Sequence, residues 1–300
     1  MAFRLLKGNV RAEREAGREP AETDSLGAPA AHGRARAPEG GFGTPLDLNL
    51  IGLWTLYWKE VRRFSKVPAQ TVVAPMVTTL LFLAVFAFAL GGSGRRVGEL
   101  AFLDFLAPGL VMMAVIQNAF ANTSSSLVIA KVQGNIVDYI MPPLSPGEFL
   151  FGFAMGGVTR GLVVGAAVAV TVLPFAELRV QSVLLALYAL AAASFALAVL
   201  GTIAGLWADK FDQLAAVTNF LITPLAFLAG TFYSVTQLPE AARPLLYLNP
   251  FFYMVDSFRY ALTGHSDGAI WFGVLVLALV DVGLWLLALR LLRAGYKLKA

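Results

Sequence analysis

The chain has 300 residues, of which 58% are hydrophobic and only 14% are charged, and its mean hydropathy is +0.70. Soluble domains are about 45–50% apolar and about 25% charged, so this composition excludes an ordinary soluble domain and indicates a polytopic membrane protein. The sequence contains no cysteine, which excludes disulfides, thiolate metal sites and cysteine nucleophiles, and its formal net charge is only +4.

Residues 1–45 differ in composition from the rest of the chain. They are rich in Ala, Gly, Pro, Arg and Glu and have almost no large apolar side chains. Such a segment cannot bury enough apolar surface to order itself, so we predict a disordered tail. Its basic residues are not followed by an apolar h-region, so we do not expect it to be a secretory signal peptide.

The next segment, "TPLDLNLIGLWTLYWKEVRRFSKVP", predicts an interfacial amphipathic helix over residues 46–67, with Thr44 and Pro45 as its start signal and Pro68 as its stop. At about 100° per residue, one face collects Trp54, Tyr57, Trp58, Val61 and Phe64. The opposite face collects Lys59, Arg62, Arg63 and Lys66. An aromatic face with a basic back is typical of a helix lying in the membrane interface. The alternative is that this segment is the first turn of the first span.

Long apolar segments predict six transmembrane helices, within a domain over residues 68–295. We place them at about 70–90, 106–128, 149–174, 181–206, 214–234 and 269–292, each near the ~20 residues that cross a hydrocarbon core. The predicted fold class is therefore an all-α integral membrane protein. Between the last two spans, Pro239 to Thr263 is too broken for a span and too apolar for a free loop. We predict an outer re-entrant helical hairpin there.

The distribution of basic residues predicts the orientation. If the N-terminus is cytoplasmic, most of the 23 lysines and arginines fall on the cytoplasmic side. Close to the first span, the two competing groups are Lys59, Arg62, Arg63 and Lys66 before it, and Arg95 and Arg96 after it. The larger group marks the cytoplasmic side, so both termini are expected to be cytoplasmic.

The polar stretch "KVQGNIVDYIMPPLSPGEF" joins the second and third predicted spans on that cytoplasmic side. Its first part is short and amphipathic, with Ile136, Tyr139 and Ile140 as apolar contacts, and two prolines stop it. "SPGE" then starts a new helix, with Ser145 as the N-cap and Glu148 as its capping-box partner. A stop followed by a start predicts a small rigid lever at the membrane surface. The alternative is a plain interhelical turn.

These features together resemble the type-2 ABC exporter permeases, the membrane domain of bacterial drug, nodulation-factor and polysaccharide exporters. The resemblance covers about residues 48–295. It is carried by the helix before the spans, by "DYIMPPLSPGEFLFGFAMGGVTRGL" after the second span, and by "LPEAARPLLYLNPFFYMVDSFRYALTG" before the last.

The resemblance implies that the lever is a coupling helix that docks on a separate ATPase subunit. The coupling residues would be Asn135, Ile136, Val137, Asp138, Tyr139, Ile140 and Met141. It also implies a second copy of the permease, membrane lipid around both copies, and a location in the bacterial inner membrane. No nucleic-acid partner is indicated. The sequence has no GxxxxGK[ST] phosphate loop, so we expect no cofactor in this chain and no enzyme activity, with ATP and Mg²⁺ bound by the partner.

Polar residues inside the second span form a stripe with two possible roles. The stripe consists of Asn118, Asn122 and Ser125, with Gln117 and Ser124 beside it. These side chains either line a substrate path or hydrogen-bond a neighbouring helix, because amides in hydrocarbon need partners. Four-residue glycine steps predict tight helix packing instead of substrate contact. They involve Gly152, Gly156, Gly157, Gly161 and Gly165 in the third span, and Gly201 and Gly205 in the fourth.

Two charges, Arg160 and Asp281, fall inside predicted spans and are candidates for function. We hypothesise that they pair; alternatively, Arg160 reaches lipid phosphate near the interface. In the outer segment, Asp256 and Arg259 are three residues apart and are expected to pair with each other. His265 is expected to be exposed and isolated, and we predict no metal site.

Three functions compete on the sequence. The first is an ATP-driven exporter subunit that moves a lipid, glycan or hydrophobic drug-like substrate. The second is a secondary transporter or channel, which needs a route of several intramembrane acids, and the spans contain only Asp281 as a candidate. The third is a membrane enzyme using the "DKFD" stretch, Asp209 to Asp212, which a polar turn explains more simply.

Overall fold

The computed structural model describes residues 49–90 and 96–297, which are mostly helical. The helices are α1 (Leu50–Ser65), α2 (Ala74–Leu90), α3 (Phe102–Val132), α4 (Ile136–Ile140), α5 (Pro146–Val172), α6 (Val183–Trp207), α7 (Phe211–Val217), α8 (Thr223–Phe227), α9 (Arg243–Tyr247), α10 (Pro250–Thr263) and α11 (Ile270–Arg293). Two short antiparallel strands, β1 (Arg96–Val97) and β2 (Leu100–Ala101), lie between α2 and α3. The predicted disordered tail, and the helix start predicted at Thr44, fall outside the described residues.

The helix α1 begins at Leu50 because Asn49 caps it. The Asn49 backbone is not helical, and its side-chain oxygen accepts a hydrogen bond from the Gly52 N–H at 2.9 Å. This satisfies one of the N–H groups that a helix start leaves free. The helix ends at Ser65, shortly before Pro68.

Within residues 49–90 and 96–297, five helical segments, rather than the six predicted, are long and apolar enough to cross a membrane. They are Ala69–Ala89, Phe102–Val132, Pro146–Val172, Val183–Trp207 and Ile270–Arg293. The predicted fifth span, 214–234, is instead a shorter apolar helix that ends at Phe227. Its three consecutive stretches of 7, 5 and 5 residues reach roughly 25 Å at 1.5 Å per residue, less than a ~30 Å hydrocarbon core.

This helix stops early because the chain turns sharply after it. Gly230 has a φ of +73°, in the left-handed region that favours glycine. The turn then brings Thr231 against α3, where a Cβ on Gly109 would lie only 3.0 Å from the Thr231 backbone. Residues around Thr231, which the hydropathy pattern assigned to a span, therefore pack against α3 instead of extending the helix.

A π-helical turn precedes each of two prolines in the helices. One covers Ala69–Val73, just before Pro75, and the other covers Thr218–Ile222, just before Pro224. A proline has no N–H and its ring clashes with the carbonyl four residues earlier, so a wider turn at that point relieves both problems.

The helix α3 forms the centre of the bundle, packed against α5 and α6. In its most apolar stretch, 78% of the residues are buried. The corresponding share is 11% in the segment containing α2 and 17% in α11. Glycines allow the close approach: a Cβ on Gly157 would lie 2.5 Å from that of Ala198, and one on Gly201 would lie 2.5 Å from the Phe120 carbonyl oxygen. The predicted role of the glycine steps in tight helix packing is confirmed.

The outer segment folds as two short helices, α9 and α10, joined at Asn249. The Asn249 side chain accepts from the Phe251 N–H at 3.0 Å and donates to the Leu225 carbonyl at 2.8 Å. Most of α10 is buried, and it packs against α3, α6 and α11. The depth of this segment in a membrane stays a prediction.

Candidate functional site

The lever between α3 and α5 contains one five-residue helix, α4, which follows a sharp turn. Gly134, with a φ of +73°, closes the end of α3, and the Asn135 N–H donates to the Ala130 carbonyl at 2.8 Å. This arrangement satisfies the carbonyls that a helix end leaves free. The turn fixes the direction in which α4 leaves the bundle.

The two faces of α4 differ, as its amphipathic sequence predicts. Ile136 and Tyr139 are buried, and they join an apolar cluster that includes Leu56 of α1 and Phe153 of α5. The outward residues of this segment are Asn135, Val137, Asp138 and Met141. Val137 is 50% exposed and Met141 is 76% exposed. The helix is therefore anchored through one face and free on the other.

Contacts from α1 hold the anchored face of α4. The Lys59 ammonium lies 3.4 Å from the centroid of the Tyr139 ring, which is cation–π geometry. The same ring packs against Phe153, with 5.7 Å between the ring centroids. Tyr139 therefore links α4 to α1 and α5 simultaneously.

Glu148 fastens the start of α5 to the start of α1. The predicted capping box is confirmed: Ser145 Oγ accepts from the Glu148 N–H at 3.3 Å, and Glu148 Oε2 accepts from the Ser145 N–H at 2.7 Å. Its other oxygen, Oε1, accepts from the Asn49 N–H at 2.6 Å. One carboxylate thus serves two helix starts, and the sequence predicted only one of them.

A buried acid, Glu60, lies further along α1, and we name the group of side chains around it the Glu60 network. The side chain is 0% exposed, and its partners are Arg63 of α1 and Ser126 and Asn122 of α3. Ser126 Oγ donates to Oε1 at 2.6 Å, Arg63 Nη2 donates to Oε2 at 3.0 Å, and Asn122 Nδ2 lies 3.5 Å from Oε2. A buried charge needs such partners, so this network fixes α1 to α3.

The structure corrects the predicted basic face of α1. Arg63 does not lie on the solvent side with the other cations but turns inward. Its Nη2 also donates to the Asn122 side-chain oxygen at 3.0 Å and to the Asn122 carbonyl at 2.5 Å. The helical wheel placed Arg63 by its angle alone, whereas the buried Glu60 carboxylate determines where the guanidinium goes.

Sequence reasoning overlooked Glu60, although a signal was present. Glu60 is the single acid in a helix whose other charged residues are all basic. Leu56 and Glu60 share the four-residue spacing of Gly152 and Gly156, the residues that they contact on α5. A Cβ on Gly156 would lie 2.5 Å from the Glu60 Cβ, so the glycine makes room for the acid.

The polar stripe of α3 finds partners within the chain. Asn118 Oδ1 accepts from Arg160 Nη2 at 2.9 Å, and Ser125 Oγ accepts from Arg63 Nη1 at 3.3 Å. Together with the bonds of Asn122, these contacts favour the packing interpretation of the stripe. Gln117 is half-buried. The lining of a substrate path by these residues stays a prediction.

Arg160 and Asp281 do not pair in the structure. Among the described residues, the polar partner of Arg160 is Asn118, and Asp281 Oδ1 is buried without a hydrogen-bond partner. The pairing hypothesis was wrong because it used depth along two helices, while the facing sides of the helices determine which residues meet.

At the opposite end of the bundle, a second polar cluster centres on the fully buried Arg259. Its Nε donates to the Phe105 carbonyl at 3.2 Å, its Nη2 donates to the Gly230 carbonyl at 2.6 Å, and Nη1 lies 3.9 Å from Asp267. Asp256 instead accepts the backbone N–H groups of Asp267, at 2.8 Å, and of Gly268, at 3.2 Å. The predicted Asp256–Arg259 pair was wrong, because each side chain has closer partners from other segments.

His265 belongs to this cluster. The prediction that it is isolated was therefore wrong. Its Nε2 lies 3.4 Å from Asp267, and its ring lies edge-on to that of Phe105, with 5.9 Å between centroids. The side chain is half-buried.

The "DKFD" stretch forms a solvated ion-pair site. Lys297 Nζ lies 2.6 Å from Asp209, and Lys131 Nζ lies 3.6 Å from it. The hydrogen bond from Lys297 holds the pKa of Asp209 below its usual value. Within residues 49–90 and 96–297, no group of three or more His, Asp or Glu side chains is placed to hold a metal ion. Through its two ion pairs, Asp209 connects the ends of α3, α6 and α11.

Comparisons with known proteins agree with this architecture. The family model for the ABC-2 type transporter matches residues 52–263. The chain is 35% identical over 260 residues to the inner membrane transport permease YadH of Escherichia coli K12, which covers 85% of this chain and 100% of YadH. It is 23% identical over 242 residues to nodulation protein J of Sinorhizobium fredii NGR234, covering 80% of this chain and 92% of that protein. The matched region runs from α1 to the end of α10 and includes both α4 and the Glu60 network, and on this evidence the chain belongs to the ABC-2 type transporter family.

Proposed function

We propose that the chain is the permease subunit of an ATP-driven exporter in a bacterial inner membrane. In this proposal it works with a second copy of itself and with a separate ATPase subunit, which binds ATP and Mg²⁺. The substrate is a lipid, a glycan or a hydrophobic drug-like molecule that leaves the cytoplasm. The family membership and the similarity to an inner membrane transport permease support this assignment.

The single observation that carries the proposal is the two-faced α4. Its outward face presents apolar Val137 and Met141 around the Asp138 carboxylate, while Ile136 and Tyr139 fix its inner face to the bundle. A short helix that is rigidly held and exposes apolar side chains at its tip is suited to bind a protein partner. We assign this surface to the ATPase subunit.

The contacts behind α4 supply a route by which the ATPase could move the permease. A displacement of α4 acts on α1 through Tyr139 and Lys59, and on the start of α5 through the chain itself. The Glu60 network then connects α1 to α3, the most buried of the five long apolar helices. Packed elements with discrete contacts of this kind shift as units rather than bending gradually.

The proposed orientation places α4 and both termini in the cytoplasm. Basic residues at the same end of the bundle support it. They are Lys59, Arg62 and Lys66 of α1, and Arg290 and Arg293 in the last turns of α11.

Purification of the complex from its native membrane tests the proposal. We expect an ATP-hydrolysing subunit to co-purify with the chain. Val137→Asp, which places a charge on the outward face of α4, should reduce that recovery. Val180→Asp is the matched control, because Val180 is 55% exposed and lies between α5 and α6, beyond the other end of α5. This control should leave recovery unchanged.

Two outcomes would reject the proposal. One is the absence of any ATPase from the complex, which would favour a secondary transporter or channel. The other concerns orientation: since the chain has no cysteine, a single Met141→Cys can be labelled selectively. Labelling of Met141→Cys by an impermeant reagent in intact cells would place α4 outside the cytoplasm.

A further inference from the structure

The outward face of α1 is unusual because, apart from the hydroxyls of Thr55 and Ser65, its exposed side chains are either apolar or cationic. Trp54 and Trp58 are 62% and 51% exposed, and their rings stack with 6.1 Å between centroids. Leu50 and Ile51 extend this exposed apolar strip toward the start of the helix. We name these four residues the apolar strip of α1.

Beside the apolar strip runs a row of three exposed cations, Lys59, Arg62 and Lys66. Within the described part of the chain, none of the three forms an ion pair. The one acid of α1, Glu60, points the other way, and it is fully buried where the partly buried Arg63 pairs with it. The outward face therefore carries three positive charges and no negative charge.

The segment that follows α1 in the chain also exposes an apolar surface. The segment that contains α2 follows α1 directly, is long and apolar enough to cross a membrane, and is only 11% buried. Its exposed side chains include Val73, Val77 and Leu81. Because α1 ends just before this span, its tryptophans fall near the boundary of the hydrocarbon and its cations fall near the phosphates.

We propose that Trp54, Trp58, Lys59, Arg62 and Lys66 form a binding surface for the headgroups of anionic phospholipids. The cations hold the phosphate and any further negative charge of the headgroup, and the tryptophans pack on the upper part of the acyl chains. The acyl chains of a zwitterionic lipid can pack on the apolar strip, but its neutral headgroup leaves the three cations without matching negative charge. The surface therefore selects lipids by charge. Since Lys59 also contacts Tyr139, the site adjoins α4.

Fluorescence quenching tests this proposal with the purified full-length chain and without any ATPase, so its result is independent of the proposed function. The chain is placed in vesicles that contain either brominated phosphatidylglycerol with ordinary phosphatidylcholine, or the reverse. Bromine quenches nearby tryptophans. The quenching that disappears in the Trp54→Phe/Trp58→Phe variant reports on α1 among the 5 tryptophans of the chain.

We expect stronger quenching by brominated phosphatidylglycerol, and a preference that weakens as salt is added. A cation near an anionic surface contributes about 1 kcal/mol, so each neutralised cation should lower the preference about five-fold. The variant Lys59→Gln/Arg62→Gln/Lys66→Gln should therefore lose it. The control Lys210→Gln/Arg290→Gln/Arg293→Gln makes the same charge change at other exposed positions and should retain it.

Equal quenching by the two brominated lipids would overturn the proposal, as would a preference that survives in the Lys59→Gln/Arg62→Gln/Lys66→Gln variant. A protein occupant of this face also has a distinct outcome. If Trp54→Cys forms a disulfide-linked dimer in vesicles, and if neither brominated lipid quenches Trp54 and Trp58 of the unmodified chain, the surface binds a second copy of the chain and not lipid.

Discussion

Replacement of Gly156 by alanine should push α1 away from α5. The new Cβ would lie 2.5 Å from the Glu60 Cβ, while ordinary contact begins at 3.4 Å, so the two helices must separate by about 0.9 Å. The same movement would stretch the Ser126–Glu60 hydrogen bond from 2.6 Å to the limit of a useful bond. The substitution therefore strains the packing and the Glu60 network together.

The expected cost can be worked from these two effects. Overpacking of a close contact costs about 1–3 kcal/mol, and a weakened hydrogen bond to a buried charge costs about 1.5–3 kcal/mol. Alanine returns about 1 kcal/mol of helix propensity relative to glycine. We expect Gly156→Ala to reduce the free energy of unfolding by about 1.5–5 kcal/mol.

The thermal unfolding midpoint in lipid nanodiscs, followed by tryptophan fluorescence, measures this effect. Gly147→Ala is the matched control, because Gly147 lies on the same helix and a Cβ there would meet nothing within 4 Å. Its midpoint should equal or slightly exceed that of the unmodified chain. If Gly156→Ala unfolds at the same temperature as Gly147→Ala, the close approach of α1 to α5 is refuted.

Three further predictions concern other contacts of the bundle. Ser145→Ala removes the capping box of α5 and should lower the free energy of unfolding by about 1 kcal/mol, measured by the same midpoint. Arg259→Ala leaves Asp267 buried without its cation and should cost about 3–5 kcal/mol, whereas Arg259→Lys should recover part of the loss; equal midpoints for the two variants would contradict the role of the charge. The hydrogen bond from Lys297 lowers the pKa of Asp209. The Lys297–Asp209 ion pair is therefore fully formed above the ordinary pKa of about 4 and is lost as pH falls through the lowered value. A spin label on Tyr296→Cys, next to Lys297, should gain mobility in that acid range. In the Asp209→Asn variant the same label should be mobile at every pH.

The sequence predicted those features that depend on neighbours within one helix. The composition indicated a membrane protein, and hydropathy located the five long apolar helices within a few residues of their ends. The capping box of Ser145 and Glu148 and the inward contacts of Ile136 and Tyr139 followed from spacing over a single turn. Such features are local because the helical repeat fixes which side chains share a face.

Only the tertiary structure decided which faces meet. Glu60 bonds a residue 66 positions away, Asn49 bonds one 99 positions away, and Arg259 bonds one 154 positions away. The expected partner of Arg259 was three residues distant, and that of Arg160 was chosen by depth, and both expectations failed. A buried charge takes the partners that the packed helices bring to it, and the helical repeat of one segment contains no information about the neighbour against which it packs.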